Sequence, residues 1–218
     1  MNRRLTILAT AAALAASAAS AHAQLGRQMG LVEPNVATDS AMKTVPHVTE
    51  AIATTLKDAR PILGPVPLDS ILAARGLSKA QRTEAYAKMF VHVDVNRGTD
   101  AELSLIPGVD AAKLKAIKAG RPWANFATFH AALAKASNAG EADRIEQYLF
   151  IPIDLNTWTS DIMDTFASIG VGTRQWKREF EEYRPWTSME QFQREIGKYL
   201  RQKPGELKRL ERYVIINK

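Results

Sequence analysis

The chain makes nearly the same statement three times, at intervals of about 60 residues. Asn35, Asn96 and Asn156 each begin an Asn-x-x-Thr, completed by Thr38, Thr99 and Thr159. Each segment then reaches an Arg-Pro pair, at Arg60-Pro61, Arg121-Pro122 and Arg184-Pro185. Asn and Arg are 25 residues apart in the first two segments and 28 in the third. A period of this length specifies one supersecondary module copied in tandem, because a lone copy leaves an apolar face in water and stacking buries it.

The second copy shows how the module is built. Val91–Val95 (VHVDV) alternates as a short extended segment and ends at Asn96. Thr99 and Glu102 have capping-box spacing, so a short helix is expected to run to Leu105 or Ile106, where Pro107-Gly108 stops it. A second helix is predicted from about Asp110 to Ala119, ended by Arg121-Pro122, because the residue before Pro is pushed out of the helical region. Trp123, Phe126 and Phe129 recur at the same spacing as Trp186, Met189 and Phe192. Aromatics at helical spacing read as core rather than as a cofactor site. Ser188 with Gln191, and Ser78 with Gln81, have the spacing of further capping boxes, the latter opening a helix expected to run to about Met89. The predicted fold is all-α: three tandem repeats, each containing a helical hairpin, joined by short extended connectors.

Residues 1–23 read as a secretory signal and not as part of this fold. Arg3 and Arg4 precede an Ala/Leu run from Leu5 to Ala19, and Ala21-His22-Ala23 offers a small-residue cleavage site. The expected divisions are therefore a signal over 1–23, a degenerate repeat over 24–91, and repeats over 92–151 and 152–218. Export would place the mature chain in the periplasm or outside the cell. There is no Cys, so stability must come from burial and hydrogen bonding. The net charge of +6 for the whole chain becomes +2, 0 and +2 across the three segments once Arg3 and Arg4 are set aside. A mild basic excess supports weak attraction to phosphate and serves plain solubility equally well.

The third hairpin carries the sharpest local signal. Ile169-Gly170-Val171-Gly172 joins two helical stretches and is followed by Thr173-Arg174-Gln175-Trp176-Lys177-Arg178. Glycines allow a tight turn and leave backbone N–H groups uncovered, so a phosphate could meet donors and a helix N-terminus together. The second hairpin, Ile106-Pro107-Gly108-Val109-Asp110, keeps one Gly and places Asp where the second would stand. The first, Val45-Pro46-His47-Val48-Thr49, has none. Competence for phosphate should thus fall from the third copy to the first. Arg174, Lys177 and Arg178 lie at the N-terminal end of their helix and Glu179, Glu181 and Glu182 toward the other, against the helix dipole. Either an external anion bridges the basic end, or Lys177–Glu181 and Arg178–Glu182 pair along a solvated face.

These residues resemble the tandem helix-hairpin-helix proteins of the ComEA-type competence family. VDVNRGTDAELSLIPGV with KAIKAGRPW, and LNTWTSDIMDTFASIGVG with FEEYRPWTSMEQF, carry the resemblance over about residues 92–195. The resemblance implies an exported, non-enzymatic protein that binds double-stranded DNA without sequence specificity. Carried over by position, Gly108, Gly170, Val171 and Gly172 take the hairpin role. Thr173 follows them, and Lys113, Arg174 and Lys177 are placed to support phosphate contact. The rival is a periplasmic helical scaffold that docks an envelope protein and leaves DNA alone. No cofactor is expected.

His47, His92 and His130 lack metal-ligand spacing, so no metal site is expected. Asp94 and Asp154, two residues before the repeated Asn, read as structural positions of the connector. The repeated Asn is expected to bond backbone amides at the entry to the first helix of its segment. The repeated Arg faces either backbone carbonyls, a neighbouring carboxylate or a phosphate. Its recurrence where the hairpin is degraded favours the structural role.

Overall fold

A computed structural model describes residues 24–217. The predicted signal over 1–23 lies outside the described residues. The described residues are mainly α-helical with four two-residue strands. The first segment contains α1 (Asp39–Met42), α2 (Glu50–Asp58), α3 (Pro65–Ala74) and α4 (Lys79–Tyr86). The second runs through β1 (Val93–Asp94), α5 (Asp100–Leu103), α6 (Ala111–Ala119), α7 (Phe126–Ala136), α8 (Ala139–Glu146) and β2 (Leu149–Phe150). The third comprises β3 (Ile153–Asp154), α9 (Ser160–Thr165), α10 (Arg174–Glu182), α11 (Met189–Gly197), α12 (Pro204–Glu211) and β4 (Val214–Ile215). Two 3₁₀ turns, Ala167–Ile169 and Lys198–Leu200, interrupt the third segment.

Each segment closes on itself. The strand at its start pairs in parallel with the strand at its end, Val93 with Leu149 and Ile153 with Val214. In the first segment the same closure is a single bridge from Val32 to Met89. The extended connectors read from the sequence are therefore paired strands that clasp each module.

The repeated Asn and Arg account for the constancy of the spacing. Asn96 donates its amide to the Trp123 carbonyl at 3.0 Å and accepts from the Trp123 N–H at 2.6 Å. Asn156 holds Trp186 the same way at 2.9 and 2.8 Å, and Asn35 holds Ile62 at 3.0 and 2.7 Å. The partner is always the second residue after the repeated Arg. The guanidinium closes the loop from the other side. Arg121 donates to the carbonyls of Val95 and Gly98, Arg184 to those of Leu155 and Trp158, and Arg60 to those of Pro34 and Ala37. All three Arg-Pro bonds are cis. The Arg thus serves backbone carbonyls, as its recurrence suggests. The Asn differs from expectation: it clips the chain beyond Arg-Pro, 27 to 30 residues away, rather than the entry to the nearby helix.

Helix starts follow the capping chemistry. Thr38, Thr99 and Thr159 cap α1, α5 and α9, and both bonds of the capping box form at Thr99–Glu102 and Ser78–Gln81. At Ser188 only half of it forms, because the Gln191 side chain accepts from the Thr187 amide instead. Helices α5 and α4 end at Leu103 and Tyr86, short of the Leu105 and Met89 that the pattern suggests. The residues beyond them turn to reach the hairpin and the closing strand.

The recurrent aromatics are core. Trp123 and Phe129 meet edge-on at 5.5 Å, and Trp186 and Phe192 meet tilted at 5.7 Å. Both indole N–H groups donate 2.8 Å bonds to a carbonyl six residues earlier, Ile117 and Phe180. Segments one and two share one apolar cluster, whereas segment three has its own, joined by Leu25 and Phe150. Polar groups add to this apolar tie between segment three and the rest. Arg97 donates to the Arg212 carbonyl at 2.7 Å and Arg212 to the His92 carbonyl at 3.2 Å. His92 in turn bonds the buried Glu33 at 3.2 Å.

Burial pushes the Tyr148 and Tyr213 phenols up to about 12. Unfolded, these groups titrate near ~10, so the folded chain holds the protons more tightly. The stability from keeping them neutral is complete below pH ~10 and is lost as pH rises through the folded value. Helicity should therefore collapse between roughly pH 10 and 12 in step with tyrosinate absorbance. Full tyrosine ionisation near pH ~10 with helicity intact would contradict this burial.

Candidate nucleic-acid interface

The three hairpins share a frame but not a surface. Each second helix begins at a side-chain cap: Thr49 for α2, Asp110 for α6 and Thr173 for α10. Asp110 is thus the counterpart of Thr173, not of Gly172 as the one-residue reading of the motif has it. The three extra residues of the third segment fall before this cap, where the 3₁₀ turn Ala167–Ile169 lies. A left-handed residue stands in every elbow, with φ of 66° at His47, 88° at Gly108 and 75° at Gly170. Glycine makes that conformation cheap at two of the three positions.

The third elbow is closed. The Val171 and Gly172 amides both donate to the Phe166 carbonyl, at 3.1 and 3.0 Å, and the Gly170 amide to Ala167 at 3.0 Å. Val171 and Gly172 are buried. A Cβ on Gly172 would lie 1.7 Å from the Met163 carbonyl oxygen, and one on Gly170 2.8 Å from Val36 of the first segment. The buried Arg209 covers the same turn and donates to the Ile169 carbonyl at 2.9 Å. The expectation of bare amides at Gly170, Val171 and Gly172 is therefore corrected. These glycines permit close packing of backbone on backbone and of segment on segment, and their N–H groups are already used.

The remaining residues of the candidate set divide. Thr173 spends its hydroxyl oxygen on the Trp176 amide at 3.4 Å. Lys177 donates to Asp164 at 2.6 Å and Ser160 at 2.9 Å, so the basic start of α10 is balanced by α9. That resolves the inverted charge pattern with a pairing that helical spacing does not show, since Arg178 meets Glu179 instead of Glu182. Lys113, 14% exposed, lies 2.7 Å from Asp110 and 3.9 Å from Glu141. Gly108 is exposed, and its amide makes no hydrogen bond among the described residues. Carboxylates flank it, however: Asp110 two residues on, its pKa lowered by the Lys113 bonds, and Glu141, 3.4 Å from where a Cβ would stand. The second elbow is the more open and the third the more closed, the reverse of the sequence ranking. Arg174 alone of the candidate cations is exposed and without an ion pair among the described residues.

The connector carboxylates are structural. Asp94 accepts from the Asn96 amide at 2.8 Å, Asp154 from Asn156 at 3.1 Å and Glu33 from Asn35 at 3.3 Å. Among the described residues, no three His, Cys, Asp or Glu side chains converge as metal ligands, and no helix is long and apolar enough to cross a membrane.

A sizeable cleft lies elsewhere among the described residues, and residue spacing does not locate it. It is a cleft of about 960 Å³ between Arg60-Pro61 of the first segment and the start of α10 with the turn leading into α12. Arg201 and Lys203 line it, both exposed and without ion pairs among the described residues. Arg174 immediately precedes the lining residue Gln175. The only carboxylate in its wall, Glu206, is held in a two-oxygen pairing with Arg209. The local signal was present in Lys198-Tyr-Leu-Arg-Gln-Lys203, a basic run without acids, but nothing in it pointed to a partner wall 140 residues earlier. The chain matches no family model, no curated protein and no solved structure.

Proposed function

We propose that this is an exported, non-enzymatic protein built from three copies of a helix-hairpin-helix module, which holds double-stranded DNA without reading its sequence. The observation that carries the reading is the unpaired positive charge at one end of the third segment: Arg174, Arg201 and Lys203 stand in solvent with no carboxylate partner among the described residues. Contact is then made by guanidinium and ammonium groups rather than by elbow amides. Such contacts position a duplex through its phosphates and carry no base information. The closed third elbow favours a second reading, in which the modules form a rigid scaffold that docks an envelope protein.

Titration of a random-sequence fluorescent duplex separates the two. Affinity should fall with salt, with a log–log slope of about −2 to −4 for two to four phosphates. Arg174→Ala should weaken binding and flatten that slope by about one unit. No binding at low salt would remove the DNA reading and leave the scaffold.

A further inference from the structure

Resting on that reading, we propose that the cleft between the first and third segments binds single-stranded nucleic acid, seating phosphates on Arg201 and Lys203 and a base on Tyr199. Tyr199 lines the cleft and is 43% exposed, one of four large hydrophobic side chains so open among the described residues. Its hydroxyl is anchored 3.1 Å from that of Tyr183, so the ring is held in place while it remains open to solvent. The buried Trp176 forms part of the floor. An anchored aromatic beside unpaired cations is the combination that binds an unpaired base and its phosphate together. A duplex satisfies the cations but not the ring, because its bases are already stacked on one another. A single strand satisfies both.

The cleft's dimensions agree. Its volume of about 960 Å³ lies near the top of the range for enclosed ligands, ~300–1,000 Å³. Both walls are fixed. Arg60 is held by two backbone carbonyls, and Gly205 approaches Pro61 so closely that a Cβ would lie 2.9 Å from the ring. The site therefore exists only in the assembled three-segment chain, because Arg60-Pro61 and Arg201–Lys203 belong to opposite ends of the sequence.

The test uses the full mature chain with two probes, a fluorescent thymidine 20-mer and a random duplex of the same length. Tyr199→Ala should weaken binding of the thymidine strand about tenfold and change duplex binding less than twofold, while Tyr199→Phe keeps the stacking face and retains affinity. The double variant Arg201→Ala/Lys203→Ala should flatten the salt slope for the strand by about 1.4 units. Both sites are exposed, and an unchanged melting temperature will show that the variants are folded. A wild type that binds duplex but not the strand, or a Tyr199→Ala that leaves strand affinity unchanged, overturns the cleft proposal with the duplex reading intact. Binding of neither probe overturns both.

Discussion

Gly172→Ala is expected to destabilise the protein by about 3 kcal/mol or more, at or beyond the upper end of what overpacking costs. The added methyl would lie 1.7 Å from the Met163 carbonyl oxygen and 2.8 Å from the Ala167 nitrogen. Both are backbone atoms that no rotamer change can move aside. The Phe166 carbonyl that receives the Val171 and Gly172 amides would be displaced with them. Chemical denaturation read by circular dichroism measures this directly. Gly140→Ala is the control: it sits in the first turn of α8, its nearest contact would be a side-chain oxygen at 3.4 Å, and it should be neutral or stabilise by roughly 0.5 kcal/mol. Equal midpoints for the two variants would mean that the third elbow is open after all. The same substitution is thus unsuitable as a probe of ligand contact, since loss of binding in Gly172→Ala would report loss of fold.

Asn156→Ala should cost about 3 kcal/mol, because removing one side chain strands both the N–H and the carbonyl of buried Trp186, each worth about 1–3 kcal/mol when left unsatisfied. Asn96→Ala should cost a similar amount through Trp123. Asn156→Asp is the informative companion. It keeps the acceptor for the Trp186 N–H but cannot donate to the carbonyl, and so should recover part of the loss. An Asn156→Ala variant within about 0.5 kcal/mol of wild type would show that the clip is geometry without energy, the level at which surface substitutions fall.

Much of the module was legible because its determinants are local. Thr99 with Glu102 and Ser78 with Gln81 cap helices through residues three apart. The Trp-Phe spacing buries one face of a helix whatever surrounds it. The Asn-to-Arg interval was conspicuous, but its chemistry was hidden. Asn156 reaches Trp186 across 30 residues, and a bond of that span leaves no periodic trace. The hairpin illustrates a different limit. Gly-x-Gly announces that backbone must come close to something. It does not say whether that something is a phosphate or, as at Met163 and Val36, the protein itself.

What the sequence determined by itself is the triplicate module, its mainly helical content, the helix starts and the aromatic core, all set by contacts within a few turns of chain. Only the tertiary structure decided which groups are free. Lys177 and Lys113 are spent on Asp164 and Asp110, the Gly170–Gly172 amides on their own turn, and Arg209 on Ile169 and Glu206, while Arg201, Lys203 and Tyr199 face a cleft completed by Arg60-Pro61. The physical reason is that availability to a ligand depends on what packs nearby in space, and segments one and three meet across more than a hundred residues of intervening chain.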